Sequence, residues 1–126
     1  MAKRPASLKA PSEIDIQAGF RARLRYVAPA VHCVAIPNAA KRSQWAAMQA
    51  KREGLATGFP DVMVLAPGGL VGFLEFKTAS GRMTDNQAEW LARLSALGFP
   101  CAVARSIDDA VKFLREHHFP VMERAA

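Results

Sequence analysis

The sequence predicts a mixed α/β domain in which helices flank one small β-sheet, in the order α, β, a lesser α, β, β, α, β, α. Three observations carry that expectation. Ile16, Phe20 and Leu24 recur four apart, the mark of a helix with one apolar stripe. Two short apolar runs, Val62 to Leu65 and Leu70 to Phe76, are separated by Pro67-Gly68-Gly69, a compact turn that reverses the chain and sets the two strands antiparallel. From Leu70 to Ala104 the pattern is strand, helix, strand, a unit whose two strands lie parallel and whose crossover is right-handed.

Residues 1 to 11, with Pro5 and Pro11 among small and basic residues, read as a flexible basic arm ahead of a single domain over 12 to 126. Ser12 offers an N-cap to the first helix, which runs to about Tyr26 with Glu13 and Asp15 in its acid-favouring first turn. Arg21 and Arg25 share an i,i+4 face of that helix and can present charge to a ligand. Val31 to Ile36 is a short strand, ended by Pro37 and Asn38. Ser43 then caps a helix from Gln44 to about Glu53, stopped at Gly54. This middle segment is polar on most sides, carries Lys41, Arg42, Lys51 and Arg52, and reads as an insertion across a substrate groove. Its Trp45 and Met48 can stack on a base, pack at a dimer interface or cover the domain's own core. Thr84 or Asp85 caps the next helix, which continues to about Leu97 with Ala88, Leu91 and Leu94 as its apolar face, Leu97 at its end and Gly98 as its stop. Phe99 to Ala104 is the last strand, and Ile107 to His117 the last helix.

With 126 residues, 51% of them hydrophobic, the chain can bury one core without staples. Its two cysteines, Cys33 and Cys101, sit in apolar runs, which favours packed thiols over a disulfide framework and so an intracellular, cytoplasmic or nucleoid-associated setting. No apolar run approaches the roughly 20 residues of a membrane-spanning helix, so membrane insertion is not expected. A nucleotide-binding P-loop and a C2H2 finger are both missing, and His32, His117 and His118 lack zinc spacing. The net charge of +6 is lopsided: residues 1 to 58 hold ten Lys or Arg against three acids, residues 59 to 126 seven against eight. The first half is therefore the polyanion-facing half, a statement that does not choose DNA, RNA or a membrane surface.

Alternation along the Leu70 to Phe76 strand sends Glu75 and Lys77 to one face and Leu74 and Phe76 to the other. The hairpin brings Asp61, seven residues before Gly68, near Glu75, six residues after Gly69. Two carboxylates are hard oxygen ligands suited to Mg²⁺ or Mn²⁺, and the Phe76 backbone carbonyl can add to the shell. A metal held there can polarise a phosphodiester and lower the pKa of its bound water. Lys77 can orient that water or stabilise the pentavalent transition state, whereas service as a general base would need a depressed pKa. The alternative is that Glu75 and Lys77 decorate the wet face of a half-exposed strand and Asp61 ends a loop.

Gly58-Phe59-Pro60-Asp61, then Gly72-Phe73-Leu74-Glu75-Phe76-Lys77, then Gly81 and the helix containing Gln87, resemble the PD-(D/E)XK nuclease superfamily and more closely its VRR-NUC family, over approximately residues 12 to 115. The resemblance implies a restriction-endonuclease-like sheet in which Asp61 and Glu75 bind metal, Lys77 is catalytic and Gln87 is an additional active-site residue. Glu13 resembles the acid such nucleases place on their first helix, in support of a metal ligand or its water. The tripeptide that names the family is matched only loosely by Val103-Ala104-Arg105, which weakens any role for Arg105. What the resemblance implies in function is a Mg²⁺- or Mn²⁺-dependent DNA endonuclease acting on structured DNA, foremost branched DNA such as Holliday junctions, as a homodimer. Flap or other structure-specific cleavage, and a noncatalytic nucleic-acid-binding module, stand as the alternatives.

Overall fold

The computed structural model describes residues 9–37 and 43–122. Its elements are α1 (Glu13–Val27), β1 (His32–Ala35), α2 (Gln44–Arg52), β2 (Val62–Ala66), β3 (Leu70–Phe76), α3 (Asp85–Ala96), β4 (Cys101–Ala104) and α4 (Ile107–Glu116), the mixed order that the sequence predicts. Most of the expected basic arm, together with Lys41 and Arg42, lies outside the described residues.

The sheet order is β1-β2-β3-β4. β1 and β2 are antiparallel, with His32 opposite Leu65 and Ala35 opposite Val62. β2 and β3 are antiparallel through the hairpin, with Val62 opposite Leu74. Gly68 and Gly69 turn that hairpin at φ of 84° and 75°, in the left-handed region where glycine bears no Cβ penalty. β4 lies parallel to β3, with Phe76 beside Ala104.

α1 begins in a capping box: the Asp15 amide donates to Ser12 Oγ and the Ser12 amide to the Asp15 carboxylate, both at 3.1 Å. Its Ile16, Phe20 and Leu24 are all buried, and the Phe20 ring packs on Phe76 with centroids 5.9 Å apart. α4 shares that face of the sheet and buries Ala110, Val111, Phe113 and Leu114. Gly72 makes room for it, since a Cβ there would stand 3.1 Å from the Phe113 ring and 3.2 Å from that of Phe119.

The opposite face is filled by aromatic rings, with Phe59 edge-on to Trp90 at 4.9 Å and to Phe73 at 5.6 Å, and Phe73 edge-on to Phe99 at 5.6 Å. Here α3 departs from expectation. Ala88 and Leu97 are exposed, and the inward stripe is Gln87, Trp90, Leu91 and Leu94. Trp90 supplies the bulk that sequence spacing assigned to Ala88, while Leu97 is the C-cap beyond the last helical turn. β3 is thus covered on both sides, and Gly72 through Lys77 are buried without interruption.

Candidate active site at the ends of β2 and β3

Because Val62 faces Leu74, the preceding residue, Asp61, comes level with Glu75. Asp61 is held from two directions. Its Oδ2 accepts the Phe76 amide proton at 2.7 Å, and its backbone carbonyl accepts the Ile36 amide at 2.8 Å. The turn before it is pressed onto α3: Gly58 has φ 84°, and a Cβ there would lie 2.7 to 2.8 Å from backbone and side-chain atoms of Asn86 and Gln87. Only glycine permits both that backbone and that approach.

Glu75 is 1% exposed and Lys77 8%, which overturns the wet-strand alternative. The cause is tertiary, since β3 is an interior strand with both faces covered. Burial pushes the Glu75 carboxyl up most strongly, and hydrogen bonding and charge from Asp61 push it further. Lys77 pulls it down, Glu13 adds a smaller upward push, and the net value is about 9. Glu75 Oε1 is buried with no hydrogen-bond partner among the described residues. An orphaned buried oxygen costs about 1–3 kcal/mol, and such groups concentrate where function retains them.

That donor set fits a hard divalent cation. A cation there would give the orphaned oxygen a partner and would offset the Asp61 charge that disfavours ionised Glu75. Mg²⁺ in particular is held by one or two carboxylates together with water and substrate phosphate rather than by an all-protein cage. Among the described residues no three His, Cys, Asp or Glu side chains gather around one point. Glu13, the first residue of α1, therefore stands outside the immediate pair, although its charge reaches Glu75. The Gln87 side-chain oxygen accepts the Thr84 amide at 2.9 Å and so completes the cap of its own helix.

Arg105 is the residue that sequence reasoning undervalued. Its Nη1 donates to the Gly81 carbonyl at 2.6 Å and to Thr78 at 2.7 Å, with Ala79 farther off at 3.5 Å. The loop so gathered flanks Lys77: a Cβ on Gly81 would stand 3.6 Å from Lys77 Cδ. A signal existed in the register, because Phe76 pairs with Ala104 in a parallel ladder and the next residues are Lys77 and Arg105.

The family model for the VRR-NUC domain matches residues 16–108, a span that includes Asp61, Glu75, Lys77 and Gln87. The chain belongs to the VRR-NUC family. This is a PD-(D/E)XK-like nuclease family, and membership implies a nuclease-type, DNA-processing function. Among solved structures the VRR-NUC chain is similar to a "VRR_NUC domain protein" at 21% identity and TM-score 0.68, covering 86% of this chain and 89% of that one. A second, titled "VRR_NUC domain", is 20% identical with TM-score 0.60, covering 85% and 97%. At these identities the two likenesses speak to the fold. No curated protein matches the chain significantly.

The remaining candidates are spread over the surface of the VRR-NUC domain. Arg21 and Arg25 border a cleft between α1 and β1, while Lys51 and Arg52 end α2 in solvent. Trp45 and Met48 are 71% and 59% exposed, so they do not cover the core; Ala50 takes the inward position of α2. Among the described residues no helix is long and apolar enough to cross a membrane.

Proposed function

We propose that this VRR-NUC domain is a Mg²⁺- or Mn²⁺-dependent endonuclease that hydrolyses phosphodiesters in structured DNA, foremost branched DNA such as Holliday junctions, and that it works as a homodimer. The observation that carries the reading is buried Glu75, with its orphaned oxygen, level with half-buried Asp61 and beside buried Lys77. Asp61 and Glu75, with the Phe76 carbonyl, are the residues that would hold the ion. Once bound, it would supply charge neutralisation on the phosphate and a water of lowered pKa.

The chain's own residues do the rest. The Phe76 amide fixes the Asp61 carboxylate in place. By losing its proton to solvent, a change the Lys77 charge favours, Glu75 would offer the negative charge that a cation needs. Lys77 orients the attacking water and stabilises negative charge gathering on the phosphate. Glu13 supports a ligand or its water from α1. Gln87 caps α3 through its oxygen and keeps its amide protons for the site. Arg21, Arg25, Lys41, Arg42, Lys51 and Arg52 draw in the DNA backbone. A four-way junction needs two matched cuts, and one chain offers one such centre, which argues for a twofold pair.

The test is a cleavage panel on duplex, flap and four-way-junction DNA, with and without Mg²⁺ or Mn²⁺. Lys77→Ala is expected to lower cleavage by about 100-fold or more, as removal of a transition-state stabiliser does, while folding and DNA binding persist. Full activity in that variant would remove Lys77 from the mechanism. Binding without cleavage on every substrate would make the domain a noncatalytic binding module, and a monomer active mainly on flaps would overturn the junction-resolving dimer.

A further inference from the structure

A second site emerges where α1 meets the start of β1. A cleft of about 230 Å³ is bordered by Arg21, Arg25, His32 and Cys33 over an apolar floor that includes Leu24 and Val31, and among the described residues no acidic side chain lines it. Arg23, between the two arginines in sequence, pairs with Asp108 of α4 at 3.3 Å. Among the described residues neither Arg21 nor Arg25 is paired with a carboxylate. Burial pushes the Cys33 thiol up and Arg21, on the same cleft, opposes this chiefly through its charge.

From this cleft we infer a phosphodiester subsite, in which Arg21 and Arg25 grip one phosphate of the DNA strand several nucleotides from the Asp61–Glu75 centre. The inference rests on the nuclease reading and gives its DNA a track. Size agrees, since the cleft is smaller than the roughly 300–1,000 Å³ of small-molecule sites and suits a phosphate group rather than a whole nucleotide. Chemistry agrees too: two guanidinium groups recognise phosphate oxygens by paired hydrogen bonds, and an apolar floor lowers the local dielectric and strengthens the attraction.

Position is the third argument. Arg21 lies eight residues beyond Glu13 along α1, about 12 Å at the helical rise, and Arg25 about 18 Å. His32 pairs with Leu65, four residues along β2 from Asp61, or about 14 Å at the strand rise. Measured from Asp61, the cleft lies about 14 Å from the reacting centre, which is about four base pairs at the 3.4 Å axial rise of a duplex.

Cys33 is the reporter. Its alkylation by iodoacetamide is followed by peptide mass in the metal-free full chain, with Cys101, which donates to the Leu91 carbonyl at 3.3 Å, as internal control. Four-way-junction or duplex DNA at about ten times its Kd leaves about one-tenth of the protein free and is expected to slow Cys33 about tenfold, with Cys101 unchanged. Replacing both arginines, Arg21→Gln with Arg25→Gln, is expected to abolish that protection and to lower the slope of log affinity against log salt by about 0.9, the share of the one phosphate they grip; Lys at both positions restores most of the slope, and Arg23→Gln leaves protection intact. Equal alkylation of Cys33 with and without saturating DNA, or an unchanged slope in the folded variant carrying both Arg21→Gln and Arg25→Gln, would overturn the subsite. So would protection by inorganic phosphate that DNA does not reproduce. Protection in a preparation that binds DNA but cleaves none supports the subsite and counts against hydrolysis instead.

Discussion

Replacing Glu75 with Gln sets stability against activity in a way that only a buried, protonated carboxyl predicts. In the folded protein the Glu75 carboxyl holds its proton up to about pH 9, against an ordinary value of 4.5. Since the folded pKa is the higher of the two, the stabilisation from holding that proton is complete below about pH 4.5 and is lost as pH rises toward 9. Between those limits wild-type stability falls by about 1.4 kcal/mol per pH unit from this group alone, or about 3 kcal/mol between pH 5.5 and 7.5. Gln has the shape of the protonated acid, can donate to Asp61, and never ionises. The difference in unfolding free energy between Glu75→Gln and wild type should therefore grow with that slope in metal-free urea titrations. Mg²⁺ or Mn²⁺ should reverse the order at pH 8, stabilising wild type and leaving the variant unmoved, because the ion binds the ionised carboxylate, which Gln cannot supply. Cleavage should be lost throughout. Parallel pH profiles for the two metal-free proteins would refute the argument, since Glu75 would then be ionised in the folded state.

Other expectations follow from particular contacts. Arg105→Ala frees the 78–81 loop and is expected to lower kcat about tenfold or more with KM for DNA little changed, while the amides of that loop exchange hydrogen faster. A change in KM alone would make Arg105 a DNA contact instead. Gly58→Ala forces a left-handed alanine at about 1–2 kcal/mol, before the cost of moving α3 aside, so both unfolding free energy and cleavage should fall. Wild-type stability in that variant would mean that the Gly58–Asn86 approach is slack. Phe20→Ala, at a fully buried ring on Phe76, should cost about 3–5 kcal/mol in chemical denaturation. A loss under about 1 kcal/mol, no more than a mild core trimming, would show α1 to be loosely docked.

Local pattern was enough for the elements and for the three charges. The stripe Ile16, Phe20, Leu24, the Ser12 and Thr84 caps, and the Gly68-Gly69 reversal each report on the backbone of a short segment, where steric and hydrogen-bonding rules act without help from afar. The same locality let the hairpin count bring Asp61 level with Glu75. What a segment cannot report is which of its faces another element will cover. Burial of Glu75 and Lys77 depends on the interior position of β3; the grip of Arg105 on the loop beside Lys77 depends on the parallel placement of β4; the solvent position of Trp45 depends on α2 turning Ala50 inward. The sequence by itself thus determined the elements and the chemistry available to them. The tertiary structure alone decided that Glu75 is dry enough to hold a proton and to leave one oxygen without a partner, because desolvation is a property of everything packed around a group and not of the group or its neighbours in the chain.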